Sequence, residues 1–171
     1  MHCTAERLMD LAEAHIRDAG YGSFSFRDLA AEAGIKSASV HHHFPTKATM
    51  AAAVARRYAD RFFEAVAPRG EETGEDVVEI YRNTFKAAFD SGGKMCLFGV
   101  LGAEAGGLAP EVAREILNFF QRCVADLTHR IGGPDAEARA LQVVATLQGG
   151  LMLARIYQDI GAFNRAAEAL V

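Results

Sequence analysis

Three consecutive histidines, His41-His42-His43, are the first residues that invite a chemical reading, because imidazole binds metals and moves protons. Successive residues on a helix point about 100° apart, so the three rings cannot converge on one ion. No cysteine or further histidine stands nearby at ligand spacing, and no metal site is expected. Cys96 is the other reactive type. It lies beside Lys94 and the pair Gly92-Gly93, where a stabilised thiolate would attack electrophiles, and a buried inert thiol fits the same residues. Serine, histidine and aspartate do not recur in a triad order. Paired carboxylates in an apolar setting, a phosphate loop and a CxxC pair are missing too. The residues therefore point to binding rather than catalysis: no enzyme activity and no cofactor are expected.

What remains is charge. The chain carries a net −4, which argues against a protein that merely coats nucleic acid. Yet residues 25–57 hold Arg27, Lys36, Lys47, Arg56 and Arg57 against only Asp28 and Glu32, a local balance of +3. The acidity collects elsewhere, in Glu71, Glu72, Glu75, Asp76 and Glu79. A small basic patch on an acidic chain suits docked contacts strengthened by dimer avidity.

The elements that must position this patch are short helices. Leu29, Ala30 and Ala33 mark the buried edge of one; Gly34 then supplies a left-handed stop. Ser25 reads as its N-cap, leaving first-turn amides free for a phosphate. Ile35 is the apolar residue of the turn, and Ser37 reads as the N-cap of a second helix with Val40 as its inward residue. Small Ala30, Gly34 and Val40 have the spacing of a helix-turn-helix, whose second helix can enter a major groove.

The run GYGSFSFRDLAAEAGIKSASVHHHFPTKATM resembles the N-terminal domain of the TetR/AcrR family of transcriptional regulators. The resemblance implies an all-α fold of about nine helices, three forming a DNA-binding head and six a ligand-binding and dimerisation body. The corresponding domains are 1–47 and 48–171. It places Lys36, Ser37, Ser39, His41 and His42 on the groove-facing surface, with Ser25, Arg27, Thr46 and Lys47 as clamps on the DNA backbone. Helix capping remains the other reading of each serine. His41 stands where the family often has a phosphate-contacting tyrosine, so it keeps a ring and a donor but changes reach.

Helices are expected over Thr4–Ala19, from Lys47 to about Ala67, and over Glu75–Asp90, Met95–Ala105, Pro110–Ile131, Asp135–Ile160 and Phe163–Val171. In the first, Arg7, Asp10, Glu13 and Arg17 face away from the core, and His43 packs beneath the head beside Phe44. Phe24 and Phe26 fill that core. Arg56, Arg57 and Arg61 read as a solvated face, and residues 68–74 as a linker. Tyr81, Phe85, Phe89, Met95, Cys96, Phe98, Phe119, Phe120 and Cys123 form an apolar, aromatic set. Plain core explains each of them singly; the resemblance implies that together they line a small-molecule pocket, with Gln148, Arg155 and Tyr157 as its polar groups. Gly149-Gly150 in the long late helix suggests close helix approach, and a two-fold dimer is expected through that helix and the final one.

The function the resemblance implies is a ligand-responsive regulator, a repressor that binds a palindromic operator in double-stranded DNA as a homodimer and is released by a small-molecule effector. The competing reading is a helical small-molecule-binding or enzymatic protein with a vestigial head. Three unpaired cysteines (Cys3, Cys96, Cys123), a polar N-terminus and the lack of a long apolar run lead to an expected cytoplasmic location with no membrane partner.

Overall fold

In a computed structural model, residues 4–90 and 92–170 are described; Cys3 lies outside them. Those residues form nine α-helices and two 3-10 turns, with no strand among them. The helices are α1 (Thr4–Ala19), α2 (Phe26–Ala33), α3 (Ser37–His43), α4 (Lys47–Ala65), α5 (Gly74–Asp90), α6 (Leu97–Ala103), α7 (Pro110–Ile131), α8 (Ala136–Tyr157) and α9 (Ile160–Glu168). The chain forms two compact units, Met1–Ala59 with Leu97–Leu117, and Asp60–Cys96 with Asn118–Val171.

The first unit is built on local capping chemistry. Ser25 and Asp28 form a reciprocal capping box at the start of α2: the Asp28 amide donates to Ser25 Oγ at 3.2 Å and the Ser25 amide to Asp28 Oδ2 at 3.0 Å. Gly34 closes α2 at φ 70°. Its amide donates to the Ala31 carbonyl and that of Ile35 to Ala30, a double bond pattern that turns the chain directly into α3. Leu8, Ala12, Ile16, Phe24, Leu29, Ala30, Val40, Phe44 and Met50 are the buried core around this corner. Phe26 is only half-buried; its ring meets His41 edge-on at 4.9 Å.

Two expectations for charged residues are corrected in this unit. Arg17 is buried, its guanidinium 5.7 Å from the centre of the Tyr58 ring. Arg57 is no solvated residue either: it pairs with Glu6 and Asp10 at 2.8 Å and with Glu13 at 3.3 Å. Burial alone would pull its proton affinity down, but the three carboxylates outweigh this and hold it above its ordinary value.

In the second unit an aromatic cluster centres on Phe62, whose ring lies 5.0 to 5.8 Å from those of Phe63, Tyr81, Phe85 and Phe119, mostly edge to face. Arg130 ties the α4–α5 connection to α7. It donates to the Val66 carbonyl at 2.8 Å and pairs with Asp126 at 2.9 Å and Glu72 at 2.5 Å. α8 and α9 meet at a tight corner. Gln158 takes the left-handed conformation at φ 53° and Asp159 caps α9 through the Gly161 amide at 2.7 Å. α8 therefore stops at Tyr157 rather than Ile160, and α9 starts three residues before Phe163. At Gly150 a Cβ would lie 3.1 Å from Phe163, so this glycine lets α9 close on α8; Gly149 faces open space.

Candidate DNA-reading head and body interior

α3 shows how little of itself the fold requires. Of its seven residues only Val40 is buried, while His41, His42 and His43 are exposed. Exposure of His43 corrects the expectation that it packs beneath the head; Phe44 alone turns inward, and the His43 ring rests edge-on against His42 at 5.5 Å. Lys36, not Ser37, is the N-cap of α3, and it contributes no side-chain bond to the helix. The Ser37 hydroxyl is thus relieved of a capping role. Ser37 and Ser39 are half-exposed and Lys36 exposed, so all three stand at the outer edge of the corner.

The four residues expected to clamp the DNA backbone divide. Arg27 is exposed. The Ser25 hydroxyl is engaged within its capping box, donating to Asp28 Oδ2 at 2.6 Å, and the amides of Phe26 and Arg27 carry no bond from that cap. Thr46 caps α4, accepting the Thr49 amide at 3.0 Å while its own amide donates to Thr49 Oγ1 at 3.1 Å. Lys47 folds back: its Nζ donates to the Phe24 carbonyl at 2.6 Å and sits 4.3 Å from the Phe24 ring centre and 4.8 Å from that of Tyr21. Burial lowers the proton affinity of this ammonium, an effect that Glu104 and Asp28 oppose. Asp28 titrates below the usual carboxylate range because the Ser25 hydroxyl and amide both donate to it.

The aromatic set expected in the body separates as well. Tyr81, Phe85, Phe119, Cys96 and Cys123 are buried in the second unit, and Phe89 is half-buried. Phe98 belongs to the first unit, where its ring meets Tyr58 edge-on at 5.9 Å. Phe120 sits on another side of α7, lining an open groove of about 800 Å³ with Val124, Thr128 and Leu141. An unbroken apolar sequence carries no sign of which residue faces which neighbour, so the set could not be divided in advance.

Polar atoms among the buried members are few and telling. The Tyr81 hydroxyl donates to Asp126 Oδ2 at 2.7 Å, and burial, then the nearby Cys123 and Asp126, push the phenol's proton affinity far up. Burial likewise pushes up the Cys123 thiol, reinforced by Cys96. Gln148 donates to Cys96 Sγ at 3.5 Å, whereas its Oε1 is buried with no hydrogen-bond partner. Cys96 is 1% exposed, so an electrophile reaches it only if the packing opens. Arg155 is half-buried and Tyr157 exposed at the end of α8. Phe62, Asp126 and Arg130 were not anticipated. Val54, Tyr58, Phe62 and Val66 recur every four residues along α4 and beyond it, a stripe that marks Phe62 as core.

A short helix displayed against α1 and α2, with no strand among the described residues, is the arrangement of a helix-turn-helix domain. Residues 8–54 match the family model described as bacterial regulatory proteins, tetR family. Over its length the chain is similar to a TetR transcriptional regulator from Legionella pneumophila, at 26% identity, 99% of this chain, 96% of that one and a TM-score of 0.93. It shares its fold with a TetR-family regulator from Agrobacterium tumefaciens (23% identity, 98% and 95% covered, TM-score 0.91) and a TetR regulator from Chloroflexus aurantiacus (22%, 98% and 91%, TM-score 0.84). No curated protein matches it. Residues 8–54 thus carry the signature of the tetR family, and the chain as a whole has the fold of TetR-family transcriptional regulators.

Proposed function

We propose that the protein is a homodimeric repressor that reads a palindromic operator in double-stranded DNA through residues 1–47 and leaves it when a small molecule occupies residues 48–171. The observation that carries the reading is α3, which buries one side chain and offers Lys36, Ser37, Ser39, His41 and His42 outward. Short hydroxyls and imidazoles suit base edges, and Arg27 with Lys36 suits phosphates.

Dimerisation is supported by apolar surface that the chain leaves uncovered. Leu141, Met152 and Ile156 recur on one side of α8, all more than half exposed, with small Ala145 and Gly149 between them. α9 turns Ala162, Phe163 and Ala167 into its own chain, and the exposed apolar residues lie on α7 and α8, which favours those two helices as the interface over α8 with the final helix. Two such pairs would form a four-helix bundle, with the groove between Phe120, Val124 and Leu141 receiving the mate. For the effector, the unpartnered Gln148 Oε1 beside Cys96 and the aromatic cluster favours an aromatic or apolar molecule carrying a hydrogen-bond donor.

The test is selection of duplexes from a random pool by the full chain, followed by footprinting across a salt series. The expected footprint is a palindrome with half-sites about 34–36 Å apart, bound less tightly as salt rises. Recovery of no preferred duplex would refute the reading.

A further inference from the structure

The turn between α1 and α2 is held by a residue far along the chain. Gly20 enters it at φ 88°, and residues Tyr21–Ser23 form a single 3-10 turn. Inside the turn, Ser23 donates to the Gly20 carbonyl from its amide at 3.1 Å and from its hydroxyl at 2.7 Å. From outside, the Glu104 carboxylate accepts the Tyr21 amide with both oxygens, at 3.2 and 3.3 Å. Glu104 is the residue immediately after α6. The fit is close: a Cβ on Gly20 would stand 2.3 Å from Glu104 Oε1, so glycine is needed here for the carboxylate as well as for the backbone angle.

What the turn carries gives this contact a consequence. The Tyr21 ring and the Phe24 ring and carbonyl are the surfaces on which the Lys47 ammonium rests. Lys47 opens α4, directly behind the Thr46 cap. An ammonium has three protons, of which the Phe24 carbonyl takes one, leaving donors for a phosphate. Glu104, Tyr21, Phe24 and Lys47 thus form one mechanical series from the end of α6 to the start of α4, all inside the first unit.

We propose that Glu104 is a positioning residue for DNA binding: it holds the α1–α2 turn so that Tyr21 and Phe24 aim Lys47 at the DNA backbone. The proposal rests on the DNA-reading function above and assigns α6 a grip on the head that involves no contact between Glu104 and DNA.

The experiment measures binding of a labelled duplex, recovered from a random pool by the wild-type protein, across a salt series. The variants are Glu104→Ala, Glu104→Asp, Glu104→Gln, Lys47→Met and the double variant Glu104→Asp/Lys47→Met. Aspartate keeps the charge but is one methylene too short to reach the Tyr21 amide; glutamine keeps an acceptor at full length. Alanine and aspartate are expected to weaken binding about tenfold and to lower the slope of log K against log salt by about 0.9, the loss of one phosphate contact. Glutamine should bind within about twofold of wild type, and the double variant no more weakly than Lys47→Met, because the two residues act in series. If the alanine variant does not fold, the aspartate and glutamine variants decide. Wild-type binding by Glu104→Asp, or losses that multiply in the double variant, would overturn the proposal. Failure of the wild-type protein to recover any duplex would instead remove the DNA-reading function itself.

Discussion

α3 and α8 both display more of themselves than folding requires, and they display opposite things. α3 buries Val40 and leaves imidazoles, hydroxyls and an adjacent ammonium outward. α8 buries eight residues along one side and still exposes Leu141, Met152, Leu153, Ile156 and Tyr157 on the other. A polar face costs little in water, so its exposure is compatible with a monomer waiting for a charged partner. An exposed apolar face that size is unfavourable in water and calls for a partner of its own kind. On the proposed function, the contrast separates a surface used intermittently from one covered for the life of the molecule.

The sharpest way to break the contrast is to give α8 the character of α3. Met152→Glu with Ile156→Glu should weaken self-association at least 100-fold, about 3 kcal/mol, while the monomer keeps its helicity. Sedimentation at micromolar concentration reads the result, and a dimer of unchanged mass would locate the interface elsewhere. Loss of the second head should also reduce operator affinity, since linked heads gain avidity of roughly 10²–10⁴.

A smaller effect is expected on α3, where single contacts carry information rather than assembly. His42→Ala should remove roughly 1–3 kcal/mol of discrimination at one operator position, leaving dimer mass and non-specific binding unchanged. Repeating the duplex selection with the variant measures this. A selected sequence identical to wild type would mean that His42 faces no base.

The smallest effect is acid fraying of the support beneath α3. Asp28 is held below the ordinary carboxylate range by Ser25, so its contribution to α2 is complete above its unfolded pKa of about 3.9 and is lost as pH falls through the lower folded value. Amide exchange in α2 should therefore rise below about pH 4, and Asp28→Asn should weaken this pH dependence. Equal exchange in wild type and variant across that range would deny the capping box any energetic role.

Legibility followed the range of the interactions concerned. The ends of α1, α5 and α7 fall within a residue of those expected and α2 closes at Gly34, because Ser25, Gly34 and Pro110 act within a few positions of themselves. The end of α8 was overrun by three residues because its left-handed cap is Gln158, a type with no special preference for that angle. α6 is shorter than its apolar run suggested, Leu97–Ala103 in place of Met95–Ala105, since uniform apolarity carries no boundary signal. The site was half legible. Arg27, Lys36 and His42 are exposed, but the seating of Lys47 on Phe24 and Tyr21 and the capping duties of Ser25 and Thr46 depend on partners placed by the fold.

The sequence by itself determined an all-helical chain with a helix-turn-helix near its start, because periodicity, caps and a glycine stop are written in neighbouring residues. Tertiary structure alone decided which charges turn inward. Arg17, Arg57, Arg130 and Glu104 look like surface residues in sequence; each is held by groups that folding brings from elsewhere, as in the 83 residues separating Tyr21 from Glu104. The physical reason is that a charge leaves water only where opposite charge or hydrogen-bonding groups replace its hydration, and those groups are assembled in space rather than along the chain.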